Sequence, residues 1–142
     1  MDSKAYEELN YWLGPNEDSN WNEYVTEQVA HGVLGKFSAM DWQQLNETIL
    51  SKEEYWQERS AAALGELRSP EAIEILKKLL ESKFSEVAIA AASELDWTEA
   101  VIEEKYSNKI QKIINNLSDE EIDSYPELIN LLKKSQGQPS SK

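Results

Sequence analysis

The stretch Trp56-Gln-Glu-Arg-Ser-Ala-Ala-Ala-Leu-Gly-Glu-Leu67, continued by Ser69-Pro-Glu-Ala-Ile-Glu-Ile-Leu-Lys-Lys-Leu-Leu80 and Glu86-Val-Ala-Ile-Ala-Ala-Ala-Ser-Glu-Leu95, carries helical spacing from end to end. Alanine, leucine and glutamate, its commonest residues, lose little side-chain freedom in a helix. Ser69-Pro70 puts a hydroxyl at a cap and proline at the first helical position, where its missing N–H costs nothing. Sliding the sequence by 31 residues aligns these segments with their neighbours without a gap. Val25, Trp56 and Val87 share a column, as do Val29, Ser60 and Ala91, then Val33, Leu64 and Leu95. Ser38 aligns with Ser69, Leu45 with Leu76, Ile49 with Leu80, and Ser51-Lys52 with Ser82-Lys83. Apolar columns alone arise whenever two amphipathic helices slide into phase. Cap residues matching in the same register are a stronger sign of a repeat.

Working outward, Ser38-Ala-Met-Asp41, Ser51-Lys-Glu-Glu54 and Ser118-Asp-Glu-Glu121 read as capping boxes, and Gly14-Pro15 and Gly35 as helix stops. Helices are expected over 3–13, 20–34, 39–50, 53–67, 70–82, 85–96, 99–116 and 126–135. No alternating run bounded by hairpin turns suggests a strand. Residues 1–135 read as one domain, and the polar segment 136–142 as a disordered tail. A pair of short helices cannot bury its apolar face alone, so neighbouring pairs must stack. The small residues Ser60 to Ala63 and Ala88 to Ala92 allow that stacking to be close.

The chain has 142 residues, 40% hydrophobic and 29% charged, enough for one core. Its net charge is −13, placed as −7 in residues 1–50, −6 in 51–105 and zero in 106–142. Such acidity repels phosphate backbones and anionic membranes, so neither nucleic acid nor membrane is an expected partner. There is no cysteine, which removes disulfides, thiolate metal sites and cysteine nucleophiles. With no apolar leader and no apolar run of about eighteen residues, a cytoplasmic location is expected.

The quoted stretches resemble the HEAT-like repeat, with its Ala-Leu-Gly helix end, Pro-Glu-Ala-like helix start and Ala-rich following helix. The likeness is good over 56–95 and weaker over 25–55, where Val33-Leu34-Gly35 stands for the Ala-Leu-Gly end. Residues 98–142 depart from it as a capping repeat would, and the family's basic residue near the start of the Ala-rich helix is replaced by Gln57 and Ala88. The resemblance implies an all-α fold: a short right-handed α-solenoid of HEAT-like helix pairs, about seven to eight helices in all. The alternative is an irregular bundle of Ala-rich helices.

Candidate chemistry is sparse. His31 is the sole histidine, and with Glu27 it offers two ligands, too few for a metal site. Glu53-Glu54, Glu103-Glu104 and Asp119-Glu120-Glu121 diverge by about 100° per residue on a helix and suit helix starts better than a shared pocket. No phosphate loop, nucleophile elbow or Ser/His/Asp set can be assembled. The sequons at Asn46 and Asn116 lack a secretory context. No catalytic, cofactor-binding or metal-binding residue is therefore expected, and no cofactor.

The outward-facing columns point to a partner instead. Glu23 aligns with Glu54, Tyr24 with Tyr55 and Glu27 with Glu58, which stacking would turn into ladders on the face that HEAT-like arrays use for binding. Trp12, Trp42 and Trp56 read as core, whereas Trp21 and Trp97 at helix ends read equally as interface anchors. Small, acidic, cysteine-free HEAT-like proteins resemble bacterial immunity proteins. That resemblance implies an inhibitor that neutralises a cognate toxin, such as a basic nuclease, through Glu23, Tyr24, Glu27, Glu54, Tyr55, Glu58, Trp21 and Trp97. The alternatives are a scaffold or adaptor and a subunit like the enzymes that attach bilins. HEAT-like DNA-repair enzymes carry basic concave faces, opposite in sign to this chain.

Overall fold

Nine α-helices run through the part of the chain that the computed structural model describes, residues 4–14, 21–98 and 101–137. In order they are α1 (Lys4–Leu13), α2 (Glu23–Glu27), α3 (Ala39–Thr48), α4 (Glu54–Leu67), α5 (Pro70–Leu79), α6 (Ser85–Thr98), α7 (Ser107–Asn115), α8 (Asp119–Ser124) and α9 (Pro126–Ser135). No strand occurs among the described residues. Helices α2, α4, α6 and α9 pack side by side in that order as one layer, with α4 and α6 in the broadest contact. Helices α1, α3 and α5 form a second row behind them, and α7 packs on α6 and α9. The expected stack of helix pairs is thus present, as a HEAT-like all-α solenoid.

The 31-residue columns occupy matching places. Val29, Ser60 and Ala91 are all buried, as are Val33, Leu64 and Leu95, Leu45 and Leu76, and Ile49 and Leu80. Trp56 and Val87 are buried while Val25, in the shortest stretch of helix, is half-buried. Ser38 and Ser69 both cap helices: Ser38 and Asp41 form a full capping box on α3, and the Ser69 side chain accepts from the Ala72 N–H with Pro70 at the start of α5. Gln57, which stands in the column where the family carries a basic residue, is fully buried. Its Nε2 donates to the Lys52 carbonyl at 2.8 Å and its Oε1 accepts from Ser82 Oγ at 2.7 Å, so one amide ties together two successive turns.

Alanines 61, 63, 88, 91 and 92 are buried between the layer's helices, and Gly65 marks their closest approach. A Cβ on Gly65 would fall on the Glu94 carboxylate of α6. Gly65 is therefore a packing residue and not the end of its helix, as the Ala-Leu-Gly reading has it. The helix continues to Leu67 and stops at Arg68, whose φ of 59° is left-handed.

Other expectations give way for physical reasons. The helix expected over 20–34 starts after Asn22, whose side chain accepts from the Val25 N–H. It then widens into a π-helix over Gln28–Val33 and tightens into a 3-10 turn over Leu34–Lys36. Gly35 lies within that turn and adopts no left-handed stop, whereas Gly14 does, at φ 90°. Ser51 does not cap α4: it closes a 3-10 turn (Ile49–Ser51), its hydroxyl donating to the Thr48 carbonyl, and Glu53 takes the cap position without a side-chain bond. The helix expected over 99–116 is broken. A 3-10 turn (Glu104–Tyr106) precedes α7, because Ile102 is drawn into the core and Glu103 pairs with Lys77 at 2.8 Å; positions 99 and 100 lie outside the described residues. The capping box at Ser118 starts a helix, α8, that the expected set lacks. Trp42 is half-buried, edge-on to Phe37, and the buried stripe of α1 is Tyr6, Leu9 and Leu13 with Trp12 beside it. Gln136 and Gly137, placed in the expected tail, form the turn that closes α9; residues 138–142 lie outside the described part.

Candidate functional site

Four of the eight partner residues expected from the sequence converge. Trp21, Glu54, Tyr55 and Glu58 line one open depression of about 650 Å³, together with Arg59, Glu86 and Ala90. Its base is the N-terminal half of α4 and α6, and Trp21 stands before α2 as a wall. Residues i and i+4 of a helix share a face, which brings Glu54 to Glu58 and Tyr55 to Arg59.

Two of these side chains are also structural pins. The C-terminal end of α1 leaves carbonyls without partners in its own helix, and α4 supplies them. Arg59 donates from Nη1 to the Leu13 carbonyl at 2.6 Å, and the Tyr55 hydroxyl donates to the Gly14 carbonyl at 3.0 Å. One turn earlier on α1, Asn10 Oδ1 accepts from Trp56 Nε1 at 2.8 Å. The buried Arg59 guanidinium lies 5.7 Å from the Trp21 ring centre and 5.1 Å from that of Tyr55, a cation held between two aromatic faces.

The carboxylates set the electrostatics. Glu58 is held above its ordinary pKa, first by partial burial and then by the charges of Glu54 and Glu86, while Arg59 pulls it down. Three acids thus line a depression that also holds the Arg59 guanidinium, which is bonded to the end of α1. An arriving cation would find carboxylates on two helices and aromatic rings on the wall.

The other four expected residues lie elsewhere. Glu23, Tyr24 and Glu27 are exposed on α2 and do not line the depression. Tyr24 is 67% exposed while its repeat-mate Tyr55 is half-buried, so that ladder has two different rungs. Trp97 stands at the far end of α6, exposed, 5.8 Å from the Arg68 guanidinium. His31 is exposed and faces Glu66 at 3.9 Å, leaving Glu27 aside. No cluster of metal-ligating side chains occurs among the described residues. Sequence reasoning missed Glu86 and Arg59. Glu86 lies one repeat after Tyr55, so the register places it on the same face, but as an unlike pair it forms no ladder.

Residues 56–82 match the family model of the PBS lyase HEAT-like repeat. That span takes in α4 from its third residue, α5 and the turn between them, one of the helix pairs of the stack. No match to the chain was found among curated proteins or among solved structures. Among the described residues no helix is long and apolar enough to cross a membrane.

Proposed function

We propose that this chain is a non-catalytic binding module that receives a basic segment of a protein partner in the depression between α4 and α6. The observation that carries the reading is the convergence of Glu54, Glu58 and Glu86 beside the rings of Trp21 and Tyr55. An incoming Lys or Arg gives these carboxylates a counter-charge, and the flanking aromatics add a face for its stem and charge. HEAT-like repeats commonly serve as scaffolds for protein interaction, which agrees with this use. In its finer form, the proposal is that the partner is a basic toxin domain and that binding neutralises it. A net charge of −13 supports that form by steering a cationic partner inward, with association reaching roughly 10⁸–10⁹ M⁻¹s⁻¹ at low salt.

The test is affinity capture from the native organism with the wild-type chain and with the double reversal Glu54→Lys and Glu58→Lys, followed by association rates over a salt series. The expected result is a basic protein that the wild type retains and the reversal loses, with association slowing as salt rises. Capture of a bilin-carrying protein would favour the lyase-like reading that the family model's name suggests. A partner bound equally by both forms at every salt concentration would move the interface away from the depression.

A further inference from the structure

A second cavity has the opposite charge and lies on another face of α6. It opens between the α5–α6 turn and α7 as a half-open pocket of about 380 Å³, with a floor of Leu80, Ile89, Ile113 and Leu117. Lys83, Lys109 and Lys112 rim it. Glu81, the one carboxylate among the described lining residues, is held by Lys109 at 3.0 Å. No described carboxylate lies within ion-pair distance of Lys83 or Lys112, although the chain carries nearly two acids per basic residue. Ser85, the first residue of the fourteen-residue α6, also lines the cavity, so the positive end of that helix adds to the field.

We infer that this cavity binds a small organic monoanion, a carboxylate carried on a hydrocarbon body. Two ammonium groups at the rim without a described carboxylate partner, Lys83 resting 5.2 Å from the Phe84 ring centre, suit the carboxylate, and the apolar floor suits the body. Its volume falls within the roughly 300–1,000 Å³ of small-molecule sites. A single negative charge fits better than two, because the molecule's net −13 repels each charge it admits. This site is independent of the acidic depression, which takes Glu86 and Ala90 from α6 where the cavity takes Ser85 and Ile89.

The experiment titrates the full chain with octanoate, 1-octanol, acetate, octyl phosphate and hexaglutamate, following backbone amide shifts. Octanoate is expected to saturate, moving residues 80–89 and 109–117, with octanol and acetate weaker by about tenfold or more. The double variant Lys83→Gln and Lys112→Gln, at two exposed positions, should melt as the wild type does and bind octanoate about tenfold or more weakly. Equal binding of octanoate by the variant, or shifts outside those two segments, would overturn the inference. Tighter binding of hexaglutamate would assign the cavity to a protein partner instead, and tighter binding of octyl phosphate would assign it to a phosphate. Either outcome would also overturn the inference.

Discussion

Leu64→Ala tests the repeat where it is most demanding. Leu64 is fully buried on α4, which is flanked in its layer by the α2 helix and α6 and backed by α5. The change removes three carbons, about 2.4 kcal/mol of transfer free energy at roughly 0.8 per methylene. A cavity term adds to that unless the walls move in, and helices packed on several sides of α4 leave little room for collapse. The expected loss is about 3–4 kcal/mol. For 142 residues, an unfolding entropy near 2.1 cal/mol/K per residue makes this a fall in Tm of about 12 °C. Val25→Ala is the control, since Val25 belongs to the repeat but is half-buried, and about 1 kcal/mol or less should be lost. Urea unfolding followed by circular dichroism measures both. A loss below about 1 kcal/mol for Leu64→Ala, or equal losses for the two variants, would refute the assignment of Leu64 to the shared core.

Ser60→Ala should raise stability by about 1 kcal/mol, because the buried Ser60 hydroxyl has no hydrogen-bond partner among the described residues and alanine removes it at the cost of a gap of one atom; a loss in urea unfolding would contradict this. Glu103→Gln should cost about 1–2 kcal/mol, below the usual price of breaking a fully buried pair because the Glu103 side chain is half exposed while Lys77 is not. The readout is Tm, with Glu104→Gln as a neutral neighbour. Burial raises the pKa of Glu94 above its ordinary 4.5, against the pull of Arg68 and with help from Glu66. The native state then holds the extra proton, so this group gives stability as pH falls through its folded pKa toward 4.5 and withdraws it as pH rises. Glu94→Gln should therefore be more stable than wild type at pH 7, with the gap closing by pH 4; a gap that does not change with pH would show that Glu94 does not titrate this way.

The pattern of what was legible follows from how each feature is encoded. Helix pairs at a 31-residue spacing were visible because Ser38 and Ser69 repeat a cap whose chemistry is local, and the structure uses both. The break at 101–106 was not visible, because it depends on Ile102 reaching the core and on Glu103 meeting Lys77, 26 residues away in sequence. The π-helix at Gln28–Val33 likewise has no signature in helical periodicity, which a widened turn preserves at both ends. At the candidate site, Glu54 and Glu58 were found from their columns. Arg59 and Glu86 became meaningful only when α1 and α6 were placed against α4.

Arg59 also explains how an acidic depression persists beside a cation. Left to itself, a guanidinium one residue from Glu58 would fold onto the nearest carboxylates and cancel part of their charge. The end of α1 competes for it. The Leu13 carbonyl, at the negative pole of that helix, accepts its Nη1 hydrogen bond, and the rings of Trp21 and Tyr55 hold its faces. Burial first, and then the charges of Glu54 and Glu86, hold Glu58 above its ordinary pKa although its sequence neighbour Arg59 pulls it down. Arg59 thus anchors α1 and lines the depression at once. Tyr55 takes part as well, since its hydroxyl is fixed on Gly14 while its ring faces Arg59. An aromatic wall held this way loses little freedom when a partner arrives, which lowers the entropic cost of binding at that face.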